Sequence, residues 1–208
     1  MSKHVRYEAT LGNLTDKIRT DYLNQQILQG RMTIELANSQ KVLSLIASDD
    51  QIDLIYFWQL YSVLGKDRIR DIVCAFYTKI FSDVEDAWFK EAFESTGSLE
   101  YHVNGQTRFW MDVMGGGAHY KGGERKLSLH HKLSKDVMTD LGAYRWMTHM
   151  NNTLKEEVPH FGIEKYRILS CLKAFLIFFM KKYSIEFDFN FITHDFDNML
   201  NNKIEPKL

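Results

Sequence analysis

Apolar residues recur at three- and four-residue spacing over most of this chain, and strict apolar–polar alternation is rare. This pattern predicts helices rather than strands. In residues 1–50, Leu14, Ile18, Tyr22, Ile27 and Ile34 form a loose apolar stripe, and Asn13 or Thr15 is suited to cap a helix there. Helices are predicted over 52–64 and 67–81, broken at Gly65. Another covers 98–114, with Leu99, Val103, Gln106, Phe109, Trp110 and Val113 on its inner face. Glycines at 115–117 and at 122 and 123 bracket a central loop. Beyond it come a short element at 127–133, a helix over 136–154 and a long helix over 163–183. The prediction is an all-α protein with a helical extension (1–50), a central domain (51–183) and a tail (184–208), aromatic first and polar afterwards.

Composition narrows the function classes. With 26 basic and 27 acidic residues in 208, there is no electrostatic case for nucleic acid or an anionic membrane. The most apolar run, Ala174 to Met180, is far too short to span a bilayer, and the polar start of the chain does not read as a signal peptide. Two cysteines, Cys74 and Cys171, do not make a disulfide framework. The expectation is a soluble cytoplasmic protein.

Three groups carry chemistry. His130 and His131 follow the glycine-rich loop, and Leu127 stands four residues before His131, on the same helical face. A neutral imidazole on an apolar face suits a haem iron, although a histidine among leucines is more often a core or surface residue. His102, Gln106 and Trp110 are spaced by four and form one stripe that mixes hydrogen-bonding groups with an aromatic. Such a stripe suits a cavity wall holding a small polar ligand, or a half-exposed face. Tyr77 lies among Ile72, Val73 and Ile80, where its hydroxyl needs a partner. No phosphate-cradling loop, nucleophile elbow or paired-carboxylate pattern stands out.

In order, Phe76-Tyr77, Trp88 to Phe93, Phe109 to Gly116, Tyr120, the His130-His131 pair and Arg145 to Met150 resemble the truncated haemoglobins. The resemblance is to their second group, which includes the plant class 3 proteins, and it covers roughly residues 52 to 182. It implies a two-over-two helical sandwich around haem b. It implies that Tyr77, His102, Gln106, Trp110 and Trp146 line the distal side. Phe93, Phe109, Leu127 and Met150 would pack on the macrocycle, and Tyr120 and Arg125 would stand at its rim. A gap-free match puts Leu133 at the iron-ligand position, and Gly117 replaces the family's usual proline. Keeping Leu127 four residues before the ligand selects His131, with His130 as the alternative.

The resemblance further implies binding of O2, NO or CO in a polar pocket. Such a pocket suits NO or peroxide chemistry, supported by a reductase, or ligand sensing, better than bulk oxygen transport. The competing reading is a haem-free globin-like module for protein interaction. The extensions would supply its surface, or a surface for homo-oligomers. If His131 holds the iron, His131→Ala abolishes or scrambles the haem absorption spectrum and His130→Ala leaves it nearly intact; the reverse result moves the ligand to His130.

Overall fold

The computed structural model describes residues 5–10, 12–39, 44–47, 55–122, 135 and 137–191. Its helices are α1 (Thr15–Leu28), α2 (Ile34–Ser39), α3 (Leu60–Phe81), α4 (Ala87–Thr96), α5 (Leu99–Val113), α6 (Asp140–Glu157) and α7 (Lys165–Phe187). A 3₁₀ turn at Phe57–Gln59 leads into α3, and another at Val158–Glu164 joins α6 to α7. Two short strands, β1 (Val5–Glu8) and β2 (Ser44–Ala47), pair antiparallel with Val5 opposite Ala47. The body of the chain is all-α as expected, and the ribbon is an addition within the N-terminal extension. Four-residue strands are too short for alternation to announce them. The predicted element at 127–133 lies outside the described residues.

α3 carries the central packing. Ile69, Ile72, Val73, Phe76 and Ile80 are all buried, at helical spacing along one side. α3 packs most extensively on α5 and then on α6. α7 closes over α5 through aromatic contacts, Phe175 on Trp110 at 5.3 Å and Phe179 on Phe109 at 5.2 Å between ring centroids. The predicted break at Gly65 is present, with φ +73° inside α3, a conformation that favours glycine. α4 was not anticipated as a helix: it is short, and Phe89 is its fully buried residue. Among the described residues no helix is long and apolar enough to cross a membrane.

The N-terminal extension is bonded into this body. Neither Asn13 nor Thr15 caps α1; Leu14 stands at the cap position with no side-chain cap bond of its own. Asp112, at the end of α5, serves instead. Its Oδ1 accepts the Leu14 amide at 3.1 Å, and its backbone carbonyl accepts the Thr15 hydroxyl. The Thr10 amide donates to the Gly115 carbonyl at 2.8 Å, and Asn13 Nδ2 donates to the Tyr120 carbonyl at 3.0 Å. Gly115 itself has φ +85°, and a Cβ there would lie 2.0 Å from the Trp58 carbonyl oxygen, so both backbone and space require glycine.

A cap supplied from another helix couples two elements. Asp112→Ala is expected to lower stability to urea by about 1–2 kcal/mol, the worth of a helix cap. Asp112→Asn, which keeps an acceptor oxygen, is expected to lose less. Equal losses in the two variants would show that the carboxylate's role is not capping.

Candidate functional site

A cavity of about 390 Å³ opens between α3, α5, α6 and α7. α5 forms one wall. Ser98 starts it by accepting the Tyr101 amide at 3.2 Å, and the helical period then brings His102, Gln106, Phe109 and Trp110 to the cavity. The stripe read from the sequence is therefore a cavity wall rather than a half-exposed face.

Tyr77 enters from α3. Its ring stacks on His102 at 5.2 Å and meets Phe93 edge-on at 6.0 Å. Burial pushes the Tyr77 hydroxyl well above the usual phenol range, so it stays neutral and able to donate. Tyr77, Gln106 and Trp146 all line the cavity, and none of their polar side-chain atoms has a hydrogen-bond partner among the described residues. Tyr77 is buried and Gln106 and Trp146 are half-buried, so these donors are open to a ligand that enters the cavity and accepts from them.

His102 is held differently. Its Nε2 lies 3.0 Å from the Phe93 carbonyl oxygen and 3.2 Å from Thr96 Oγ1. A carbonyl only accepts, so Nε2 carries the proton. The ring thus ties α5 to the C-terminal end of α4, where backbone carbonyls lack helical partners.

Trp146 is positioned by a polar cluster at the opposite corner. Asp83 follows α3 with its side chain 2% exposed. Arg145 grips it with two bonds, Nε to Oδ2 at 2.9 Å and Nη2 to Oδ1 at 2.8 Å. His149 Nε2 donates to Oδ2 at 2.7 Å, and the amides of Glu85 and Asp86 donate to Oδ1 at 3.1 and 3.3 Å. Although burial opposes it, these donors together draw the Asp83 carboxyl down to about 2. Burial in turn holds the His149 ring below the ordinary imidazole range, against the pull of Asp83. One residue after Arg145, Trp146 turns to the cavity and packs edge-on against Phe76 at 4.7 Å.

The opposite wall comes from α7, where Phe175, Phe179 and Tyr183 are spaced by four and all line the cavity. That spacing, which starts in the most apolar run and continues past it to Tyr183, is the sequence signal for a pocket wall. Tyr120 lies at the rim against Phe109, its hydroxyl pushed up chiefly by burial, and Arg108 and Lys121 add cations there. Arg108 was not anticipated, and neither were Asp83 and His149, whose partners lie far away in sequence. Met150 is fully buried in the core and does not line the cavity. Arg125, Leu127, His130 and His131 lie outside the described residues.

The family described as bacterial-like globin matches residues 59–176, more than half of the chain. Over 99 residues the chain is 30% identical to two-on-two hemoglobin-3 of Arabidopsis thaliana, which covers 48% of this chain and 55% of that protein. The chain therefore matches little more than half the length of that relative.

Because the Asp83 carboxyl is depressed in the folded state, its contribution is full above the ordinary carboxylate range and is lost as pH falls towards about 2. The contribution is about 2 kcal/mol. Asp83→Asn is expected to cost about 3 kcal/mol at neutral pH, because it leaves Arg145 short of a buried partner. Urea unfolding at pH 7 and pH 3 checks this: the gap between wild type and variant narrows in acid. A gap that does not change with pH would contradict the assignment.

Proposed function

The chain belongs to the bacterial-like globin family, and from that premise we propose that this haem-binding truncated globin binds O2 and related diatomic ligands, NO and CO, in a donor-lined distal cavity. The observation that carries the reading is the convergence of Tyr77, Gln106 and Trp146, three donors without partners among the described residues, on one largely aromatic cavity.

The described residues fit haem b. Phe93, Phe109, Trp110, Val137 and Phe175 offer apolar faces to a flat macrocycle. Tyr120, Arg108 and Lys121 supply donors and cations at the rim for its carboxylates. His131, or its neighbour His130, is the ligand we assign to the iron. When bound, haem supplies a redox-active iron that takes a small diatomic ligand.

The chain's own groups then set how long such a ligand stays. The neutral Tyr77 hydroxyl donates to a partly negative oxygen, and the Gln106 amide and the Trp146 indole supply further donors. The aromatic walls lower the local polarity, which strengthens those hydrogen bonds. His102 acts as a wall, since its Nε2 proton is given to the Phe93 carbonyl. Slow ligand release suits NO dioxygenase or peroxidase-like chemistry, fed by a reductase, or ligand sensing, better than bulk transport.

Purified protein is expected to show a Soret band that moves when CO is added after reduction. Colourless protein that fails to take up added hemin would overturn the reading. Tyr77→Phe is expected to speed O2 release about tenfold, the loss of a hydrogen bond worth ~1.4 kcal/mol. An unchanged rate would leave Tyr77 a packing role only.

A further inference from the structure

The family match ends at residue 176, yet the chain continues through the rest of α7 and past its end. There Asp188 adopts a left-handed conformation, φ 55° and ψ 52°. The Asp188 amide donates to the Ser184 carbonyl, and the Phe189 amide donates to the same oxygen at 3.1 Å. This is a helix-terminating turn that reverses the chain. It delivers Phe189 to the cavity, where the residue is 9% exposed and forms part of the lining.

The next residue is clamped. The Asn190 backbone amide donates to Asp140 Oδ1 at 2.7 Å, and its side-chain Nδ2 donates to Oδ2 at 3.1 Å. Asp140 is the first residue of α6. Gly142 and Ala143, just after it, line the same cavity, as does Val137 just before it. The two donors from Asn190 hold the Asp140 carboxyl below the usual carboxylate range. Gly142 keeps this corner tight, since a Cβ on it would lie 1.9 Å from the Val137 carbonyl oxygen.

An aromatic residue in the cavity wall and a two-bond clasp are therefore consecutive in sequence. The structure assigns residues 188–190 to the haem site of this chain as a strap: Phe189 is a wall residue that seals the cavity, and the Asp140–Asn190 pair positions it. The assignment rests on the haem reading above. The strap's action is retention, because a ring lining the cavity beside Val137, Gly142 and Tyr183 slows the entry of water and the escape of the macrocycle.

The test uses the full chain loaded with hemin, with haem loss followed by transfer to excess apomyoglobin. Phe189→Ala is expected to release hemin about tenfold faster, and Phe189→Leu, which restores much of the apolar volume, is expected to stay close to wild type. Asp140→Ala is expected to speed release as well, while Thr139 still caps α6 through the Gly142 amide. Hydrogen exchange supplies a readout independent of the cofactor: the Asn190 amide is protected in wild type and becomes labile in Asp140→Ala. Rapid exchange of that amide in wild type overturns the clasp. Wild-type release rates in both Phe189→Ala and Asp140→Ala overturn the strap while leaving haem binding intact. A wild-type chain that takes up no hemin overturns the haem reading itself.

Discussion

The arrangement turns on one buried carboxylate. Asp83 sits where α3 ends and the chain bends towards α4, and it accepts from Arg145, His149 and two backbone amides at once. A desolvated charge is costly unless it is bonded, and this one accepts bonds on both oxygens. Satisfying it ties three things together: the end of α3, the corner leading into α4, and α6. Tyr77 lies on α3 upstream of that corner and Trp146 lies beside Arg145 on α6, so the same charge joins the two helices that carry these cavity-lining residues.

The cavity reverses the logic of that cluster. At Asp83 every acceptor site is used. Around Tyr77, Gln106 and Trp146 the donors have no partner among the described residues and face aromatic walls. The contrast is one of chemistry: the first site is closed by its own partners, and the second leaves donors facing a cavity that a ligand can enter. His102 shows the two roles side by side, with one face stacked on Tyr77 and its Nε2 proton committed to the end of α4.

The two extensions are structural members. The N-terminal arm is capped by Asp112 and bonded to Gly115 and Tyr120, the stretch that follows α5. The C-terminal turn brings Phe189 to the cavity from the other end. Both reach the site through backbone and carboxylate bonds between residues distant in sequence.

Periodicity and local chemistry determined much by themselves. The long helices, the break at Gly65 and the shared face of His102, Gln106 and Trp110 follow from helical repeat and glycine's backbone freedom, which are short-range properties. The order of the Phe76-Tyr77, Gly115-Gly116 and Arg145-Trp146 blocks was enough to point to the family. Asn13 and Thr15 looked like caps, yet the capping carboxylate belongs to Asp112, which is adjacent only after folding. The same holds for the union of Asp83 with Arg145 and His149, for the pairing of β1 with β2 and for the place of Phe189. These are contacts across the fold, decided by which surfaces the packed helices bring together, and nothing in the spacing along the chain encodes them.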